Sequence, residues 1–214
     1  MEHVFLPVGL CEREIEEMCG RYHFGDTGLI PLKGVYADFF AASAVSIYFI
    51  IRQRTGSPVE KEAVVLMTLG KEPDKLQEDF MQKEQLTEAY MVDCIAMELL
   101  SRAYVQADEL LHQRTGLWCM AYQFPGVQQP IGEIKELFRL FTQEEVRYNE
   151  AYALLPQKSV IYTVPLSEKK KGIERAEEMC AACGRKDCAG RRHREKKSIN
   201  LNYGYQRIFG EEKV

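Results

Sequence analysis

The stretch Leu117–Val164, LWCMAYQFPGVQQPIGEIKELFRLFTQEEVRYNEAYALLPQKSVIYTV, decides how the rest of the chain is read. An extended segment, Leu117–Phe124, runs into the turn Pro125-Gly126-Val127-Gln128-Gln129-Pro130. Ile131, Ile134, Leu137, Phe138 and Phe141 then recur at helical spacing and predict a short amphipathic helix. Two more extended segments close the stretch, Ala151–Leu155 and, past the Pro156-Gln157-Lys158 corner, Ser159–Val164. A glycine flanked by prolines lets backbone approach a ligand closely, because Gly has no Cβ and Pro fixes its φ. On the residues alone, a plain loop between strand and helix is the preferred reading.

Upstream, Ala63–Leu69 is an almost continuous apolar run of strand length and predicts a central strand. Gly70–Pro73 ends it, with Asp74 placed to cap a following helix and Gln77 in the capping-box position. Leu86–Gln113 predicts a long helix halted by Gly116. Leu86, Tyr90, Met97, Leu100, Tyr104, Ala107 and Leu111 keep close to its period, and Leu99, Ala103 and Leu110 widen the stripe. That whole line is expected to lie buried against a sheet. Nearer the start, Leu10–Tyr22 reads as an amphipathic helix, Gly25–Gly34 as a turn-rich connection and Val35–Ala44 as a second helix. Val45–Ile51 is β-branched and aromatic enough for a strand, and Arg52–Lys61, with Gly56 and Pro58, is a loop.

These elements predict an α+β fold, a single domain with a mainly antiparallel sheet and packed helices, over residues 1–167. A basic, cysteine-containing appendage follows over 168–214, where Lys169–Lys197 is visibly positive. Its end, Leu201–Phe209, carries Tyr203, Tyr205 and Phe209 and is aromatic enough to dock back on the domain. With 46% hydrophobic and 28% charged residues, the 214-residue chain has the composition of a soluble globular protein. A net charge of −4 argues against a general nucleic-acid binder. Met1-Glu2-His3 opens no signal peptide, and the apolar run Val35–Ile51 is short for a membrane span and contains Asp38. A cytoplasmic location is expected, with neither membrane nor nucleic acid as partner. No P-loop, dinucleotide fingerprint or Ser/His/Asp order is present, so no catalytic side chain is assigned.

Of seven cysteines, Cys11, Cys19, Cys94 and Cys119 sit among apolar neighbours and read as small core residues. Cys180, Cys183 and Cys188 are different, because a short glycine-containing loop can converge three thiolates on one soft metal. Three ligands leave one position open. His193 could fill it for zinc, or an iron–sulfur cluster could keep one iron open. Arg185, Lys186, Arg191 and Arg192 would lower the thiol pKa values. A reduced cysteine loop without metal is the alternative.

In their order, several segments resemble the activation domain of cobalamin-dependent methionine synthase, and more closely its free-standing relatives. They are Thr68-Leu69-Gly70, Pro125-Gly126, Pro130, Asn149–Val160 and the C-terminal cysteine cluster, spread between Ala63 and Arg192. The resemblance implies rescue of a cobalamin that has lost an electron, using a reductant and a methyl group from S-adenosylmethionine. That work is positioning more than side-chain catalysis. It implies a donor site at Tyr122, Pro125, Gly126, Val127, Pro130 and Glu150. The cobalamin would come from a partner, a methionine synthase lacking its own activation domain, and the electron from a flavodoxin-like donor.

Departures from the family pattern are concentrated at that site. Where the family has Arg, three residues, then Gly-Tyr, this chain has Tyr122, then Gly126-Val127, and Pro130 falls one residue sooner. An arginine would give the donor's carboxylate a bidentate, charge-assisted pair, which a single phenol cannot. On the long helix Ser101 stands near the family's acidic position, with Asp93 and Glu98 as nearby substitutes. These changes leave a second class open: an iron–sulfur or zinc accessory protein for a corrinoid methyltransferase that no longer binds S-adenosylmethionine. A third is an adaptor that only clamps the cobalamin module.

Overall fold

The computed structural model describes residues 1–42, 44–54 and 61–169, which lie in the first of two compact units, Met1–Lys171. At its centre, Lys61–Thr68 (β3) is buried on both faces after its first residue. It pairs antiparallel with Val45–Gln53 (β2) on one side and Ser159–Ser167 (β7) on the other, Val65 standing opposite Phe49 and Tyr162. Glu2–Leu6 (β1) adds outside β2 and Trp118–Cys119 (β4) outside β7, so the order is β1-β2-β3-β7-β4 with every pair antiparallel. The fold is α+β, as expected. β1 answers to no element expected from the sequence; it is five residues long and becomes a strand by pairing with β2.

Strand residues alternate between the two faces, which explains the two cores. One face carries Ile47, Phe49, Val65, Met67 and Tyr162, and is covered by helices. The other carries Tyr48, Val64, Leu66 and Ile161, packed against Ile134, Leu137, Phe141 and Val146. These last four come from a short helix, Glu133–Phe138 (α5), and the chain just beyond it. A two-stranded ladder, Arg147–Tyr148 (β5) with Leu154–Leu155 (β6), follows. At the sheet's rim, buried Glu62 is held by Arg52 and Arg54 at 2.7 and 3.0 Å.

The remaining helices are Glu12–Arg21 (α1), Leu29–Ala42 (α2), Glu72–Gln82 (α3) and Leu86–Thr115 (α4). α2 begins six residues before the expected Val35, inside the stretch read as turns. Pro31 falls in its first turn, where the missing N–H has no intrahelical partner to lose. Gly28 is required there, since a Cβ would lie 2.5 Å from the Phe24 carbonyl oxygen. Asp74 is not the cap of α3: Lys71 precedes the helix, and Asp74 lies in its first turn, accepting the Gln157 N–H at 2.7 Å. Gln77 likewise reaches outward, donating to the Ala89 carbonyl at 3.1 Å. α4 ends as expected at Gly116, whose φ of 72° is a left-handed C-cap. Cys19, Cys94 and Cys119 are buried, whereas Cys11 is exposed at the start of α1. No described helix is long and apolar enough to cross a membrane.

The stripe expected along α4 is only half buried. Tyr104, Ala107 and Leu111 are buried, and the Tyr104 ring meets the Tyr162 ring of the sheet at 5.3 Å. Toward the N-terminus Leu99 is buried as expected, but Leu86, Tyr90 and Met97 are exposed, and Met91, Val92 and Ile95 are buried in their place. The cause is a change of partner. α4 meets α2 and α3 as well as the sheet, with Ala89 in its earlier half tied to Gln77 of α3 and Tyr104 in its later half against Tyr162 of β7.

Candidate functional site

Tyr122 is buried, and its hydroxyl donates to Asp108 Oδ2 at 3.0 Å. Its ring sits 5.1 Å from Tyr104, 5.2 Å from Tyr162 and 6.1 Å from Phe124, which binds the segment after β4 to both α4 and β7. Burial holds the Tyr104 and Tyr162 hydroxyls well above the usual phenol pKa, so both stay neutral in any physiological solution. Asp108 lies one helical turn beyond Tyr104 on the same side of α4, a spacing visible in the sequence although its polarity hid it from a core assignment. Leu117–Phe124 is therefore less of a strand than expected: beyond β4, only a single bridge from Gln123 to Thr163 continues the pairing.

The turn that follows is closed on itself. Val127, Gln128 and Gln129 all donate their N–H groups to the Phe124 carbonyl, at 3.1, 3.1 and 3.2 Å. Gly126 donates to the Gln129 carbonyl at 2.6 Å, and the Gln128 side chain accepts the Phe124 N–H at 2.9 Å. Gln129 Nε2 then ties the turn to Thr163 Oγ1 on β7 at 3.1 Å. Gly126 has φ of 88°, and a Cβ there would meet Ile131 Cδ1 at 3.0 Å. Its glycine is thus required by conformation and by Ile131. Val127 and Pro130 stand exposed on the turn's outer side, and Pro125 is half-buried. Ile131, expected on the helix's apolar side, is exposed before α5 begins.

Glu150 is exposed at the tip of a second turn. Asn149 Oδ1 builds that turn by accepting the N–H groups of Ala151 and Ala153 at 2.9 and 3.0 Å, and Tyr152 adopts φ of 64°. The Tyr152 hydroxyl reaches to 4.0 Å from the place a Cβ on Gly132 would take, so this turn borders the entry to α5. Of the acids near Ser101, Asp93 pairs with Lys158 at 2.7 Å, and buried Glu98 pairs with Arg21 and accepts the Tyr22 hydroxyl at 3.2 Å. Both are structural partners. Cys180, Cys183, Cys188 and His193 lie outside the described residues, and among the described residues no metal-holding cluster is found.

Taken together, the sheet order, the long helix across one face and the small α5 layer on the other define an α+β fold built on one antiparallel sheet. Among solved structures, this chain is similar to the crystal structure of the MetH reactivation domain bound to AdoHcy. The match has a TM-score of 0.52 and covers 84% of each chain at 11% sequence identity. No protein-family model and no curated protein matches.

Proposed function

We propose that this chain is the reactivation partner of a cobalamin-dependent methionine synthase that lacks such a domain, working as a positioning subunit. The observation that carries this reading is the fold match across 84% of both chains to a reactivation domain. The ordered segments Thr68-Leu69-Gly70, Pro125-Gly126 and Asn149–Val160 support it from the sequence side. S-adenosylmethionine would lie against the Pro125–Pro130 turn, where Gly126, Val127 and Pro130, with Glu150 on the second turn, are the exposed residues of the implied site. Such a donor would supply the methyl group, and the cobalamin would arrive on the partner.

The residues fit that donor poorly in charge. The turn's own N–H groups at Gly126, Val127, Gln128 and Gln129 are already bonded, and Tyr122 is held by Asp108. Neither offers the paired donors that a carboxylate takes from arginine. The Tyr122–Asp108 pair specifically favours the second reading, a subunit that docks on a corrinoid partner and has given up the methyl donor. The cysteine cluster at Cys180, Cys183 and Cys188, as zinc or iron–sulfur ligands, belongs to either reading.

A reactivation assay separates the two. Stalled Co(II) methionine synthase without its own activation domain is given reductant and S-adenosylmethionine, with and without this protein, while methylcobalamin is followed by absorbance. Methylcobalamin that forms only with the protein present supports the first reading. Co-sedimentation with the synthase without methylation supports the second, and no association at all defeats both.

A further inference from the structure

We infer that the N-terminal half of α4, together with the end of α3, is a docking face for a basic amphipathic helix of a partner protein. Leu86, Tyr90 and Met97 recur at i, i+4 and i+11 along one side of α4, and are 66, 43 and 42% exposed. Phe24 meets the Tyr90 ring edge-on at 5.8 Å and extends the apolar line toward the α1–α2 connection. From α3, Gln77 reaches the Ala89 carbonyl and shares the Lys158 ammonium with Asp93. Its i+4 neighbour Met81, 55% exposed, therefore runs beside the same line. Exposed apolar side chains scattered singly need no explanation, but three at helical spacing on α4, with Met81 of α3 beside them, form a stripe. An apolar seam between two helices is the shape into which a third helix lays its i, i+3, i+4 and i+7 residues.

Charge selects the occupant. Between Leu76 and Ser101 the only basic side chain is Lys83; with Asp93 paired to Lys158 and buried Glu98 paired to Arg21, the acids that remain against it are Glu78, Asp79, Glu84 and Glu88. The field over the seam is negative, so it draws a helix whose apolar face is edged by lysine or arginine. A second copy of this chain would bring the same acidic hairpin against itself, which disfavours self-association.

The test uses the full chain and a dye-labelled synthetic helix of Leu and Lys with apolar residues at i, i+3, i+4 and i+7, followed by fluorescence anisotropy. The control helix has Glu at every Lys. The Leu/Lys helix should bind and weaken with salt, and the Leu/Glu helix should not. The double variant Leu86→Ser with Met97→Ser should weaken binding about tenfold or more, from the apolar area lost. Val105→Ser, at an exposed residue elsewhere on α4, should leave binding unchanged. Glu78→Lys with Glu84→Lys reads the charge half separately, and should also weaken binding with every apolar residue kept. The proposal is overturned if both double variants bind like the parent, or if the Leu/Glu helix binds equally. Sedimentation showing a dimer that the Leu86→Ser, Met97→Ser protein no longer forms would overturn it too, making a second copy the occupant. These readouts need neither S-adenosylmethionine nor a corrinoid protein, so they stand or fall apart from the reactivation reading.

Discussion

The two halves of α4 obey one periodicity and meet opposite surroundings. In the later half, Tyr104, Ala107 and Leu111 are sealed against the sheet, and Asp108 is drawn into the same interior by the Tyr122 hydroxyl. In the earlier half, Leu86, Tyr90 and Met97 continue the line into solvent, and the helix is held from its other side. A helical period states which residues share a side. It does not state whether anything lies against that side, which is settled by the length of the helix relative to the sheet it crosses. A 30-residue helix spans about 45 Å at 1.5 Å per residue. The paired strands are at most nine residues long, and β4 is two, so part of α4 must find other partners.

The strongest way to break this contrast is to truncate one residue from each half. Leu111→Ala should lower unfolding stability by about 2–5 kcal/mol, the usual cost of emptying a sealed leucine site. Leu86→Ala should change it by no more than about 0.5 kcal/mol. Urea unfolding followed by far-UV circular dichroism measures both, and equal losses would mean that the earlier half is sealed as well. Glu98→Ala asks what holds the earlier half from behind. Glu98 is buried and bonded to Arg21 and Tyr22, and its loss strands a cation that retains partial access to water. About 2–3 kcal/mol is expected, at or below the low end for a broken buried pair.

Much of the architecture is legible in the sequence, and the elements that are not share a cause. β3 and the C-cap of α4 are written locally, in a continuous apolar run and in Gly116, and both are found in place. β1 and the start of α2 are not. His3 and Glu2 give β1 no apolar run, and only the register with β2 makes it a strand. Pro31 and Gly34 make the start of α2 look like turns, although a proline in a helix's first turn costs little. At the candidate site the Pro-Gly turn was legible and its internal bonding was not. Nothing in the order of residues states that Phe124 collects three N–H groups. Asp108 is not legible either, because a carboxylate on an apolar stripe reads as an interruption, whereas a phenol from another segment satisfies it.

Tyr122→Phe sharpens the contrast at the site itself. The variant keeps the ring among Tyr104, Tyr162 and Phe124 and removes only the hydroxyl that Asp108 accepts from. Stability should fall by about 1–2 kcal/mol, more than a neutral pair because the acceptor is a carboxylate. Equilibrium dialysis against radiolabelled S-adenosylmethionine should give the same result for the variant and the parent, because the hydroxyl is engaged inside the fold. A large loss of binding in the variant would instead place Tyr122 in direct contact with the donor.

Sealed and open surroundings also separate the phenols by pH. Tyr104 and Tyr162 lie between α4 and the sheet and are shifted upward, chiefly by burial. Tyr48, on the opposite face, is pushed up to about 12 by burial and by its 2.7 Å hydrogen bond to Glu145. In the unfolded chain a tyrosine titrates near 10, so above that pH the folded protein holds more protons than the unfolded one. Each raised phenol therefore contributes stability that is complete below pH 10 and is lost as pH rises. For Tyr48 the loss ends near 12; for the more deeply held phenols it continues beyond. Tyr48→Phe should accordingly make the decline of stability between pH 10 and 12 shallower by about one proton, while leaving the slope above 12 unchanged. Unfolding midpoints measured at half-unit steps across that window test it. An unaltered slope would mean that Tyr48 titrates as an ordinary phenol, and that this face of the sheet is as open to water as the exposed half of α4.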